Sequence, residues 1–430
     1  MNLHRLLQQR QDQNNPIKVG LIGAGKFGAM FLAQVPATPG LEIAAIADLD
    51  VDRARQTLAQ VGWADELIDT TKITDDAHTL IMMDEIDVVV EATGNPRAGL
   101  VHAAKAIKCG KHLVMVNVEA DVLAGPALAK RARAAGLVYS LAYGDQPALI
   151  AEMVDWARTA GFSVTAAGKG TKYLPDYHLS TPDTVWDHYG LTALEAKDAG
   201  MNAQMFNSFL DGTKSAIEMA AVANATGLKA PEAGLEFPAV GTDQLAQILK
   251  PKSAGGVLDE TGMVETISSL NRDGSDVTND LRWGVYCVFE APNDYAAKCF
   301  AQYGLQTDDS GRYAAMYKPY HLIGMELNIS IASACLRKEP TGSPQNFNAD
   351  VAAIAKKDLK PGDMLDGEGG YTVWGKIMPA TTSLKKNALP IGLADKITLK
   401  KPVARGDIIR FDDVTLDIND PALVLRREML

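Results

Sequence analysis

The sequence predicts an α/β protein that opens with a doubly wound parallel sheet and continues into an α+β segment and a small β-rich segment. Three observations lead there. From residue 17 onward, short β-branched runs alternate with longer runs of helical period, as a parallel sheet covered by helices requires. The glycines of Gly23-Ala24-Gly25-Lys26-Phe27-Gly28 fall where the first strand passes into the first helix. After residue 146 the alternation stops, and a cluster of chain breakers appears at Thr341-Gly342-Ser343-Pro344.

Taken in order, strands are expected at 17–22, 41–47, 86–92, 112–118 and 137–142, with helices near 26–34, 51–61, 96–109 and 125–135. A helix at 148–159 and a strand at 162–167 follow, and then a loop at 169–189 rich in Pro, Asp and His. Residues 203–225 read as one helix ending at Gly227, and 281–290 and 313–317 read as strands. The stretch 234–256 shows no period. The expected domains are 1–145, 146–340 and 341–430. Within the last, Lys360-Pro361-Gly362-Asp363 is echoed 44 residues later by Pro402-Val403-Ala404-Arg405-Gly406-Asp407, so two turn-bounded strands recur.

Composition narrows the function. The chain has 430 residues, 47% hydrophobic and 22% charged, which is the globular range and long enough for more than one core. A net charge of -11 disfavours nucleic acid and anionic membrane, so any anionic ligand needs a local cluster of cations or amides. Cys109, Cys287, Cys299 and Cys335 lie far apart, which argues against a zinc site or a disulfide framework and fits a reducing cytoplasm. The Gln- and Arg-rich opening has no apolar stretch of a secretory leader, and no apolar run approaches the length of a membrane span.

The glycine turn carries the firmest chemistry. Gly23 permits a tight turn, Gly25 lets the backbone approach a pyrophosphate, and Gly28 lets helix and strand pack closely. Lys26 and Phe27 open a helix whose amides and dipole favour an anion. This is the Rossmann fingerprint, and it calls for NADH or NADPH. Asp48, at the end of the second strand, is placed to accept from the adenosine ribose, which favours NAD. Arg53 or Arg55 one turn on can instead meet a ribose phosphate, which favours NADP, and both remain open. Asp48 also fits a plain helix-capping role. Thr93 and Gly94 follow the 86–92 strand and face the nicotinamide half of such a site, with Asn117 near the end of the 112–118 strand a further cofactor contact.

Family likeness enters through particular segments. Ile86-Asp87-Val88-Val89-Val90-Glu91-Ala92-Thr93-Gly94-Asn95-Pro96 resembles the corresponding strand and turn of homoserine dehydrogenases and of the glucose–fructose oxidoreductase superfamily. That superfamily carries Glu-Lys-Pro after its fifth strand, where this chain reads Asn117-Val118-Glu119-Ala120-Asp121. The opening Met1-Asn2-Leu3, the stretches Tyr143-Gly144-Asp145-Gln146-Pro147 and Gly168-Lys169-Gly170-Thr171-Lys172-Tyr173-Leu174-Pro175, and the repeated tail resemble the DXR-like family. Those proteins are similar to, but distinct from, 1-deoxy-D-xylulose 5-phosphate reductoisomerase, and the tail resembles their SAF domain. The resemblance implies NADPH-dependent rearrangement and reduction of 1-deoxy-D-xylulose 5-phosphate to 2-C-methyl-D-erythritol 4-phosphate, a step toward isoprenoids. It also implies an α+β catalytic and dimerisation domain. The Asp-Ser-Glu-His metal motif of the standard reductoisomerase is absent.

Such chemistry needs cations, a proton shuttle and a phosphate site. Lys169, Lys172 and Tyr173 are expected on a loop at a strand end, with Lys172 polarising a carbonyl or binding phosphate beside Lys169. Solvated loop lysines are the plain alternative. Asp211, Lys214, Ser215 and Glu218 are spaced to share one helix face, either lining a cleft or forming a surface ladder; Lys214 is the candidate acid, with Asp211 or Glu218 orienting it. His178 and His321 are candidate proton shuttles, with Lys318 a further phosphate contact. A divalent metal held by Asp145, Glu152, Asp211 and Glu218 has no supporting motif. The expected ligand is a small molecule, phosphorylated, and the expected assembly a homo-oligomer. A dehydrogenase of another polyol, sugar acid or semialdehyde, and a non-catalytic nicotinamide sensor, are the competing readings.

Overall fold

The computed structural model describes residues 2–198 and 200–430, so Met1 of the opening tripeptide lies outside the described residues. The chain forms two compact units, neither of them continuous: Met1–Ala151 with His321–Gln345 and Pro421–Leu430, and Glu152–Tyr320 with Asn346–Asp420. Successive segments divided at 145 and 340 are therefore not what contact groups together. Among the described residues, no helix is long and apolar enough to cross a membrane.

In the first unit, α1 (Leu3–Asp12) leads into β1 (Ile17–Ile22), α2 (Lys26–Gln34), β2 (Leu41–Ala47) and α3 (Val51–Gln60). The chain then forms β3 (Lys72–Thr74), β4 (Val88–Glu91), α4 (Pro96–Lys108), β5 (His112–Met115), α5 (Val118–Ala134) and β6 (Tyr139–Leu141). The strands lie in the order β3-β2-β1-β4-β5-β6 with every pairing parallel. β4 and β5 are buried along their whole length, because helices cover both faces. β5 stops at Met115 rather than 118, since the Asn117 side chain caps α5 by accepting from the Ala120 amide. α5 therefore starts well before residue 125, and it carries a kink at Ala124 ahead of Pro126. Leu327, Ile331, Ala332 and Cys335 complete the core around β1 and β2. The Thr341–Pro344 breakers lie along β6, where the Leu141 amide donates to the Gly342 carbonyl at 2.7 Å.

In the second unit, β7 (Ser163–Thr171) runs four residues beyond the strand expected at 162–167 and takes in Gly168-Lys169-Gly170-Thr171. This segment is strand, not loop. Gly168 and Gly170 allow it, because a Cβ on either would run into the Glu265 or Leu281 carbonyl of an adjacent segment. The expected single helix is two, α6 (Ala203–Leu210) and α7 (Thr213–Thr226), broken at Asp211-Gly212 with Gly212 in the left-handed region at φ 86°. β8 (Met263–Ser268), β9 (Val285–Glu290) and β10 (Tyr313–Lys318) complete a mixed sheet in the order β10-β9-β7-β8.

β11 (Ala349–Ala355), β12 (Met364–Asp366), β13 (Val373–Pro379) and β14 (Asp395–Thr398) follow as two antiparallel pairs, β11 with β13 and β12 with β14. All seven positions of β11 are buried, so that strand needs cover on both faces and takes α7 as part of it. Asn224 of α7 joins the two, accepting from the Asn348 and Ala349 amides at 2.8 and 2.9 Å. Here lies the reason that 346–420 groups with 152–320. The sequence echo has a structural form: Leu359 and Val403 exchange backbone hydrogen bonds at 2.9 and 3.1 Å, and Gly362 and Gly406 both hold positive φ.

Candidate functional site

The first unit is built to hold a dinucleotide at the carboxyl ends of β1, β2 and β4. Gly23 sits at φ 96° and its Cβ would meet the Ala92 carbonyl at 2.6 Å. A Cβ on Gly28 would strike the Gly23 carbonyl, so the helix can approach the strand only with glycine there. Gly25 differs: a Cβ on it would meet nothing within 4 Å. It caps α2 beside open space, where a pyrophosphate fits against backbone. Lys26 is exposed at the same helix start, while the Phe27 ring packs on the core.

Asp48 is nearly buried, with one carboxylate oxygen accepting from the Ala24 amide of the glycine turn at 2.8 Å. The other accepts from the Asp50 amide at 2.9 Å and from the Arg53 guanidinium at 2.7 Å. The helix cap is Asp50, which accepts from the Arg53 amide, so the capping alternative for Asp48 falls away. Arg55 turns aside to Asp69 and the Ile68 carbonyl, which leaves Arg53 as the cation beside Asp48. After β4, the Thr93 hydroxyl donates to Glu91 at 2.6 Å, Gly94 takes φ 67°, and the Asn117 amide group donates to the Asn95 carbonyl at 2.9 Å. Asn117 thereby ties the turn after β4 to the start of α5. The remaining Glu91 oxygen is buried without a partner.

In the second unit the expected cations separate. Lys169 is buried on β7 and forms an ion pair with Glu218 of α7. Each neutralises the other, so neither serves as the free phosphate ligand or the orienter of Lys214. Asp211 is not on the Lys214 helix face: it caps α6, and its carboxylate meets Lys356 at 2.7 Å in a fully buried pair. Lys356 also donates to the Ser180 and Gly370 carbonyls, both at 2.8 Å, so all three of its protons are used. Lys214 is half-buried in the first turn of α7, and Lys318 lies at the end of β10 with its ammonium 5.6 Å from the Tyr320 ring centre. His321 belongs to the first unit. Among the described residues, no group of three or more His, Cys, Asp or Glu side chains is placed to hold a metal ion.

What the structure does bring together is Tyr173 and His178. The Asp211 carbonyl can only accept, so His178 Nδ1, 2.7 Å away, carries the proton, and Nε2 accepts from the Tyr173 hydroxyl at 2.9 Å. Burial is the main influence on His178 and lowers its pKa, while the Asp211 hydrogen bond opposes it. Tyr173 is pushed up, again chiefly by burial. Aromatic rings fix the pair: Trp374 stacks on His178 and Phe237 on Tyr173, each with centres 3.9 Å apart. Phe237 occupies the left-handed region at φ 51°, a strained place for an aromatic residue. That turn is held by Glu265, which accepts from the Glu236 and Phe237 amides at 3.1 and 3.4 Å, and burial pushes this carboxyl up to about 7.

Sequence reading missed Trp374, Phe237, Lys356 and Lys376. The last lies on β13, two residues beyond Trp374, half-buried against Gly234 with its pKa lowered by burial and by Lys386. No local pattern marks these four; the Trp374-Gly375-Lys376 run on β13 is the nearest to a signal.

Residues 20–141 match the family model described as homoserine dehydrogenase, NAD binding domain, and the first unit is a nicotinamide-dinucleotide-binding domain. Residues 144–327 match the family model described as oxidoreductase DRL, catalytic domain. The class these two define is that of nicotinamide-dependent oxidoreductases. Within it, the second segment is similar to the catalytic domain of oxidoreductase DRL in particular. Among curated proteins the chain has no match. Among solved structures, myo-inositol dehydrogenase from Lactobacillus casei, in complex with NAD(H) and myo-inositol, is 17% identical at a TM-score of 0.31 over 40% of this chain and 50% of that one. The chain thus spans about half the length of that relative. A probable dehydrogenase from Thermotoga maritima is 14% identical at a TM-score of 0.40 over 75% of this chain and 90% of that one.

Proposed function

We propose that the chain is a NAD(P)H-dependent oxidoreductase that rearranges and reduces a small phosphorylated ketose, with 1-deoxy-D-xylulose 5-phosphate as the leading substrate. The observation that supports this reading is the hydrogen-bonded line from the Tyr173 hydroxyl through His178 to the Asp211 carbonyl. A bound nicotinamide supplies hydride. The rearrangement requires a hydroxyl proton to leave and an alkoxide to regain one. A neutral His178 whose Nε2 already accepts from Tyr173 can take the phenol proton as Tyr173 receives the substrate's. The imidazolium so formed keeps its Nδ1 bond to the Asp211 carbonyl, and the reverse movement returns the proton. Lys356 holds Asp211 in place for this.

The reading includes a cytoplasmic homo-oligomer, with the tail supplying Trp374 to the His178 wall rather than acting apart from the chemistry. Its test is consumption of NADPH and NADH by purified protein over a panel of phosphorylated ketoses, sugar acids and semialdehydes. Turnover of 1-deoxy-D-xylulose 5-phosphate that falls about 100-fold or more in Tyr173→Phe and His178→Gln, with nucleotide affinity retained, supports it. Turnover of a sugar acid or semialdehyde alone discards the reductoisomerase.

A further inference from the structure

We infer that Lys172 and Arg282 form an anion-binding site in the second unit that takes a phosphate monoester. That the phosphate is the substrate's own rests on the reaction proposed above. The site stands on placement. The Lys172 ammonium and the Arg282 guanidinium lie 5.7 and 5.9 Å from the centre of the same ring, Tyr189. Arg282 also stacks over the exposed Trp283 at 4.9 Å. Gly170 makes this possible, since any side chain there would strike the Leu281 carbonyl and hold residue 282 away from the end of β7.

Charge sets this pair apart from the buried lysines of the unit. The buried lysines Lys169, Lys250 and Lys356 each sit on a carboxylate, Glu218, Asp308 and Asp211 respectively. Lys172 and Arg282 are half-buried, and among the described residues neither forms an ion pair. Asp276 acts on Lys172 only from beyond ion-pair reach. Burial first, and then the Arg282 charge, lowers the Lys172 pKa, so the two cations are held together against their repulsion. A dianion relieves that repulsion. The His188 carbonyl accepts one Lys172 proton at 2.5 Å, which fixes the ammonium and leaves two donors. A planar guanidinium with its fork of donors beside a point-charge ammonium suits phosphate oxygens.

The experiment is titration of the full chain with inorganic phosphate by calorimetry, for wild type, Lys172→Gln, Arg282→Gln and Arg282→Lys. NADH and NADPH titrations of the same proteins show that each is folded and separate the sources of phosphate. The expected result is that each neutral variant weakens phosphate about 10-fold, Arg282→Lys less so, with both nucleotides unaffected. On a phosphorylated ketose the neutral variants then raise KM with little change in kcat. Equal phosphate affinity in wild type and both neutral variants overturns the site. A selective loss of NADPH affinity overturns the substrate assignment, because the phosphate met would then be the cofactor's. Phosphate binding lost in both variants, with no phosphorylated ketose turned over by wild type, supports the site while discarding the reaction.

Discussion

Replacing Gly25 with alanine should separate folding from cofactor binding. The new methyl would meet no atom within 4 Å, and Gly25 already holds φ −71° and ψ −159°, an extended conformation open to alanine. Alanine is a poorer helix cap than glycine by a few tenths to about 1 kcal/mol, and the loss of chain freedom in the unfolded state offsets about 0.4–1 kcal/mol. Stability should therefore stay within about 1 kcal/mol of wild type. The methyl would nonetheless occupy the space into which the pyrophosphate must settle against the α2 amides. Loss of one or two hydrogen bonds to a charged group costs about 1.5–3 kcal/mol each, so NADH and NADPH should both weaken by about 10- to 100-fold or more. Gly28→Ala is the control with the opposite balance, since its methyl would strike the Gly23 carbonyl and destabilise the fold by about 1–3 kcal/mol. Urea denaturation reads the stability and calorimetric titration the affinity. Unaltered affinity for both nucleotides in a folded Gly25→Ala protein would remove the dinucleotide site from this turn.

Three further outcomes are expected. Arg53→Gln should weaken NADPH by about 10-fold while leaving NADH within about 3-fold, because the Asp48 carboxylate keeps its two amide donors and can still receive a ribose hydroxyl; equal shifts for the two nucleotides in fluorescence titration would contradict this. Lys356→Met should cost about 3–5 kcal/mol in urea denaturation, since it strands the buried Asp211 carboxylate and two carbonyls, and a loss below about 1 kcal/mol would argue against the pair. Asp121 is wholly buried beside Tyr139, and burial raises its pKa to about 7. The folded chain then keeps a proton that the unfolded chain has lost, so stability falls as pH rises from about 4 to about 7 and levels above it, by on the order of 4 kcal/mol. Asp121→Asn should remove that part of the slope between about pH 4 and 7, leaving the part of the same sign that Glu265 contributes.

Much of the first unit was readable because its determinants are local. Strands 17–22 and 41–47 and the helix 26–34 coincide with the structure to the residue, since β-branched runs and the glycine turn carry their own signals. Edges set by a capping side chain were less readable: Asn117 ends β5 and starts α5, inside a run whose apolar residues also suit a strand. The second unit was harder. Gly168-Lys169-Gly170-Thr171 has the composition of a loop, and only the neighbours that its glycines admit make it a strand.

Sequence by itself determined that a parallel sheet carries a glycine turn for a dinucleotide, and that two lysines, two tyrosines and a histidine cluster between residues 169 and 178. Tertiary structure alone decided their partners. It placed Glu218 on Lys169, brought Lys356 across 145 residues to Asp211, and set Trp374 against His178. The physical reason is that backbone turns and periodicities are fixed by neighbouring residues, whereas the charge state and hydrogen-bond partner of a buried side chain depend on what distant segments deliver to it.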